Sequence, residues 1–151
     1  MSSYEIEVLC ESLPPSVSNI CKFLAITGCR ISEALGVKMS DIQIQADVAN
    51  IRLLGKGDKY RIVKLPSDFI LDVKDGRKTG FLFSIATGKQ QDRRYIHRVI
   101  ARYGKKLFLK SISPHTLRHS FATSKIMNSL AIFFLFSIIK YNFFYITFIK
   151  K

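Results

Sequence analysis

Three stretches of this chain carry side chains suited to gripping a phosphate. The first is Ser113-Pro114-His115-Thr116-Leu117-Arg118-His119-Ser120-Phe121-Ala122-Thr123. It reads as the opening turns of a helix, with Ser113 as N-cap and Pro114 at the first helical position, where its missing N–H would have no partner anyway. Leu117, Phe121 and Ala122 can face a core. His115, Arg118 and His119 fall at i, i+3 and i+4 and share one face. Cationic donors near the positive end of a helix dipole form a natural anion site. The second stretch is the break Thr27-Gly28-Cys29 followed by Arg30. A guanidinium between two apolar helices is expected to be partly shielded from water and to need a partner. The plain partner is Glu33 or Asp41; the sharper one is a ligand phosphate, gripped in a bidentate manner. The third is Gly55-Lys56-Gly57-Asp58-Lys59, a tight turn that leaves Lys56 free to reach outward. A solvated hairpin lysine would look the same. The turn is no P-loop, because it lacks the spacing and the Lys-Ser/Thr ending.

These residues need elements to position them. Tyr4 to Leu13 and Ser16 to Ile26 have helical spacing, separated by Pro14-Pro15, and Ile31 to Leu35 is a short helix that stops near Gly36. Met39 to Asp41 is a turn. Ile42 and Ile44 alternate with Gln43 and Gln45 as a half-exposed strand, Val48 to Leu54 is a second strand, and Tyr60 to Leu65 returns as a third. The resulting fold class is α+β: a mainly helical domain with a small three-stranded antiparallel sheet. Ser67 to Lys74 is a short helix, Phe81 to Ile85 a brief strand or extended segment, and Gln90 to Phe108 a long helix. On that helix Tyr95, Ile96, Val99, Ile100, Tyr103 and Leu107 take one side. Arg93, Arg94, Arg98 and Arg102 lie mostly elsewhere, in a run of charge that is nearly all positive and would repel itself without an anionic neighbour. We read it as a face for the DNA backbone rather than a merely solvated one.

Composition agrees with a polyanionic partner. The chain has 151 residues and a formal charge of +13, with a pI near 9.9. Such an excess points to nucleic acid or an anionic membrane surface. Cys10, Cys21 and Cys29 are odd in number and show no CxxC spacing, so neither a disulfide framework nor a zinc site is expected, which fits a cytoplasmic protein. No signal peptide is recognisable, since Glu5, Glu7 and Glu11 stand where a basic region and an apolar run would be needed.

The chain changes character after about residue 128. From Leu130 to Lys151 it consists almost wholly of Phe, Ile, Tyr, Lys and Asn, and holds half of the twelve phenylalanines. Its apolar span is nearly long enough for a bilayer, but Lys140 near the middle opposes insertion by about 2.5–3.5 kcal/mol. These residue types are those of A/T-rich codons. We therefore divide the chain into residues 1–128, a folded unit, and 129–151, a hydrophobic tail read first as a frameshift product, ahead of a membrane anchor or a native core helix.

Taken together, Thr27 to Leu35, Gly55 to Arg61 and Pro114 to Thr123 resemble, in order and sequence, the catalytic domain of tyrosine recombinases, the phage-integrase and Xer-like family. The resemblance covers roughly residues 5 to 127. It implies DNA recombination or integration through a 3′-phosphotyrosyl intermediate, with double-stranded DNA as partner and no metal or nucleotide cofactor. It gives Arg30 and Arg118 the clamping of the non-bridging phosphate oxygens. It makes Lys56 the general acid for the leaving 5′-oxygen, and His115 a hydrogen-bond donor to the phosphate or a helper in proton transfer. It also implies a tetramer, or pairing with a related recombinase subunit.

The departures carry expectations of their own. The family places a helical DNA clamp before this domain, and here the sequence starts almost at the domain itself. The family's Gly-His type motif does not follow Met127, and the position at which the nucleophilic tyrosine is expected falls close to Lys150. Tyr141 and Tyr145 come too early and in another context. The chain is thus expected to be a fragment that keeps a phosphate pocket and has lost the attacking group. The alternative is a small basic DNA-binding or membrane-attached protein without catalysis.

Overall fold

The structure, a computed structural model, describes residues 1–55, 57–108 and 110–124, with the side chains of 121–124 left out. The expectations for Lys56, Tyr141, Tyr145, the 129–151 tail and the core-facing side chains of Phe121 and Ala122 lie outside the described residues. Helix α1 (Ser3–Ser12) opens with a capping box: the Ser2 hydroxyl accepts from the Glu5 N–H at 3.1 Å, and the Glu5 carboxylate accepts from the Ser2 N–H at 2.9 Å. Helix α2 (Pro15–Thr27) starts on Pro15, as the fixed φ of proline favours, and ends on Gly28 in the left-handed region, φ 61°. A side chain there would be strained, so glycine lets the chain turn out of α2 at once and makes Arg30 the N-cap of α3 (Ile31–Leu35).

A 3-10 turn, Met39–Asp41, leads into the sheet. Strands β1 (Ile42–Gln45), β2 (Val48–Leu54) and β3 (Tyr60–Pro66) form an antiparallel meander in the order β1-β2-β3. The β2–β3 register pairs Leu53 with Arg61 and Leu54 with Tyr60. Ala49, Ile51 and Leu53 alternate inward while Arg52 and Leu54 face out, so one face of the sheet enters the core and the other does not. Helices α4 (Ser67–Lys74), α5 (Arg93–Phe108) and α6 (Pro114–Ser124) complete the order. Helix α2 is the hub. It contacts α1, α3, α5, α6 and β3, and contributes Ile20, Phe23 and Leu24 to a core shared with Ile51, Leu65, Ile96 and Ile100. Phe23 meets Phe83 edge to face, with ring centroids 5.3 Å apart. Cys10, Cys21 and Cys29 are buried in the same core and unbridged. Burial pushes the Cys10 thiol up to about 12, the Cys29 thiol up to about 11, and the Cys21 thiol well above its ordinary value.

Two expectations shift. The segment 81–85 does not form a strand: Phe81 bridges only to Lys38, and Ser84 only to Gln90. Two of its carbonyls are taken by a side chain instead. Arg77 donates to the carbonyls of Phe81 and Leu82, to those of Val73 and Lys74 at the end of α4, and to the Ser84 hydroxyl. One guanidinium thus satisfies backbone acceptors that a ladder would otherwise serve. The long helix also begins at Arg93 rather than Gln90. Gln90 is held in the bridge to Ser84, the Gln91 N–H donates to the Phe83 carbonyl, and the Asp92 carboxylate caps the Arg94 N–H at 2.8 Å. Among the described residues no helix is long and apolar enough to cross a membrane.

Candidate functional site

Arg118 stands five residues into α6, whose start is built as the sequence predicts. The Ser113 hydroxyl accepts from the Thr116 N–H at 3.3 Å, and the Thr116 and Leu117 N–H groups reach the Ser113 carbonyl. Leu117 and Ser120 are buried and fix the helix against α2. This leaves His115 and His119 exposed and Arg118 partly buried. Nη1 of Arg118 is buried and has no hydrogen-bond partner among the described residues. A buried guanidinium N–H without an acceptor is costly, and groups of this kind mark places built for a partner.

Arg30 is more open than its position between two helices predicts: its side chain is 50% exposed. Its plain partner is present. Nη1 of Arg30 donates to Oε1 of Glu33 at 3.0 Å, and the Arg30 backbone N–H donates to Oε2 at 2.9 Å. Asp41, the other candidate, is occupied elsewhere: it accepts from the Lys38 N–H and from Arg52, whose guanidinium lies 4.9 Å from the centre of the Tyr60 ring.

Glu33 was no more than a plausible partner in the sequence, and the structure makes it a junction. Its side chain is only 6% exposed, and Oε2 accepts a third hydrogen bond, from Nη2 of Arg61 at 2.9 Å. Burial raises the Glu33 pKa, but the Arg30 N–H and the Arg61 and Arg30 guanidiniums outweigh it and hold the carboxyl below its ordinary value of 4.5. A depressed carboxyl contributes its stability in full above its unfolded-state value and loses it as the pH falls through the folded-state value. Glu33→Gln should therefore cost about 2 kcal/mol at about pH 7, and the gap to the parent chain should close on acidification below about pH 4. Urea denaturation across that range checks it.

The α5 arginines sit where the periodicity places them. Arg93, Arg94, Arg98 and Arg102 are exposed, while Ile96, Ile100 and Gly104 are buried. Helix α5 also contacts α3, so the basic face belongs to an element packed directly on the one that Arg30 caps. Arg30 and Arg118 are carried by elements that both pack on α2. Among the described residues no cluster of three or more His, Cys, Asp or Glu side chains could hold a metal ion. Arg61 and Arg77 are the residues that sequence reasoning missed as organisers. Arg61 lay inside a quoted motif, and its role depends on a carboxylate 28 positions away.

A mainly helical domain with a three-stranded antiparallel meander, an arginine capping a short helix and a His-x-x-Arg helix start define the class. The chain belongs to the phage integrase family of tyrosine recombinases: the profile described as "Phage integrase family" matches residues 5–135. It is 38% identical over 123 residues to the TnP I resolvase of Bacillus thuringiensis, covering 75% of this chain and 41% of the relative. Its fold is similar to the crystal structure of XerA recombinase, with TM-score 0.67 and 34% identity over 83% of this chain and 49% of that one. It is similar too to the XerH site-specific recombinase bound to palindromic difH substrate, with TM-score 0.66 and 27% identity over 82% of this chain and 40% of that one. The chain spans less than half the length of each.

Proposed function

We propose that the chain binds double-stranded DNA and holds one backbone phosphate for site-specific recombination. The observation that carries this reading is the buried Nη1 of Arg118 near the N-terminus of α6, which has no partner among the described residues. A phosphate oxygen is the acceptor that such a donor, beside a helix dipole, is suited to take. In this reading Arg30 and Arg118 grip the non-bridging oxygens and stabilise the charge that builds up when the phosphorus becomes pentacoordinate. His115 donates to the phosphate or assists proton transfer, and Lys56 protonates the leaving 5′-oxygen. Arg93, Arg94, Arg98 and Arg102 track the backbone of the duplex, which positions it without reading sequence. The bond energy is kept in a phosphotyrosyl link, so the reaction needs neither metal nor nucleotide. The XerH structure, a complex with its difH substrate, supports DNA as the partner.

We propose further that residues 1–128 supply this phosphate-holding function and that residues 129–151 are a separate tail. The phosphate-holding part does not cut DNA on its own, because Tyr141 and Tyr145 do not stand in the family's nucleophile context. Partner subunits, a second copy or a related recombinase, would complete the reaction. The test is a trapping assay: the full chain is mixed with nicked duplex fragments of the source genome and run on a denaturing gel. The expected result is salt-sensitive binding without a covalent band. A covalent band removed by Tyr141→Phe or Tyr145→Phe would make the chain a complete enzyme. Binding that depends on the α5 arginines and ignores Arg30 and Arg118 would reduce it to a basic DNA-binding protein.

A further inference from the structure

We propose that Arg61 is a positioning residue for Arg30, acting through Glu33; this rests on the reading of Arg30 as a phosphate ligand. The two oxygens of Glu33 are used unequally. Among the described residues Oε1 accepts only Nη1 of Arg30, at 3.0 Å, whereas Oε2 accepts both the Arg30 backbone N–H and Nη2 of Arg61, each at 2.9 Å. Among the described residues the Arg30 guanidinium has no other hydrogen bond. A two-pronged grip on a phosphate that uses Nη1 requires the guanidinium to turn away from Oε1. If Arg30 were the sole cation on this carboxylate, the turn would leave a buried charge uncompensated, which strongly opposes the movement.

Arg61 removes that obstacle. Its backbone is fixed in the ladder opposite Leu53, and its guanidinium reaches the carboxylate from the sheet, independently of α3. The neck of the β2–β3 hairpin passes beside the same group. The Gly55 N–H closes the neck on the Lys59 carbonyl at 2.8 Å, and a side-chain carbon at Gly55 would stand 3.8 Å from Oε1 of Glu33. Glu33 thus keeps a permanent cation on Oε2 while Oε1 lends its partner. Without Arg61, Glu33 holds Arg30 back from the phosphate. The competing account is that Arg61 is an ordinary half-exposed ion pair that adds its own charge to the surface and nothing more.

A double-mutant cycle separates the two accounts, with inorganic phosphate as the probe. The full chain is titrated with phosphate and followed by the arginine side-chain N–H resonances in NMR. Arg61→Met should weaken phosphate binding about tenfold in the parent background and less than about twofold in an Arg30→Met background, because its effect travels through Arg30. Arg61→Lys, which keeps a cation against Glu33, should stay within about threefold of the parent. Equal losses in both backgrounds, or no loss in the parent, overturn the proposal. Should Arg61→Met lose amide protection in β2 and β3, a smaller loss for Arg61→Lys in the Arg30→Met background than in the parent decides in its place, and equal losses again overturn it. Arg118→Met is measured alongside. If it leaves phosphate affinity unchanged, the phosphate reading fails and takes the proposal with it. If it weakens binding while Arg61→Met does not, the reading stands and the proposal alone falls.

Discussion

Arg118→Met should lower the affinity for a labelled DNA duplex roughly 30- to 100-fold at fixed salt while raising the stability of the fold. The two effects have one cause. Nη1 of Arg118 is buried without a partner among the described residues. Methionine fills a similar path with no donor to satisfy, which should return about 1 kcal/mol or more of stability. The same donor is what a phosphate oxygen would accept, and a charge-assisted contact of this kind is worth about 2–3 kcal/mol. Fluorescence anisotropy reads the first effect and thermal unfolding the second. Arg102→Met is the control: a solvated arginine on the α5 face should weaken binding only modestly and lower the salt slope by about 1. A destabilised variant with unchanged DNA affinity would mean that Arg118 serves the fold's interior and not a ligand.

Gly104→Ala should destabilise the chain by about 2 kcal/mol, although alanine in an exposed helix stabilises relative to glycine by roughly 1 kcal/mol. The sign reverses because of one neighbour. A Cβ at position 104 would stand 2.7 Å from the Cβ of Ile112, 2.8 Å from its Cγ1 and 3.0 Å from its Cδ1. Ile112 is itself buried, so the contact can be relieved only by moving the α5–α6 connection. That connection ends at Ser113, the N-cap of α6, and a shift there displaces the start of the helix that carries His115 and Arg118. The variant should therefore lose phosphate binding as well as stability. In urea denaturation, Gly104→Ala combined with Ile112→Ala should be less destabilised than the sum of the two single changes, because two of the three close contacts are gone.

Local signals carried much of the fold. The alternation of Ile42 and Ile44 with Gln43 and Gln45, the Ser113-Pro114 helix start and the glycine stop after Thr27 each act on their own neighbours, and each element formed where its pattern lay. Long-range satisfaction of polar groups was not legible in the same way. Arg77 looks in sequence like any loop arginine, yet it takes the Phe81 and Leu82 carbonyls of the 81–85 segment. The start of α5 moved because Gln90 and Gln91 were claimed by a segment that precedes them. In the site, the arginines were visible through the motif they share with tyrosine recombinases. The bond between Arg61 and Glu33 was not, because it joins a strand to a helix 28 positions away. Gly104 shows the same limit. In sequence it is a weak point in a helix, and only the approach of Ile112 gives it a purpose.

The state of the cysteines has a practical consequence for studying motion in this chain. Cys10, Cys21 and Cys29 are all its thiols, each is buried, and burial holds each in the protonated form far above neutral pH. Maleimides react with thiolates that solvent can reach, so in the folded chain the native three are silent. A single introduced thiol, such as Lys89→Cys in the exposed turn before α5, can then take a dye by itself, with no native cysteine removed and no core contact disturbed.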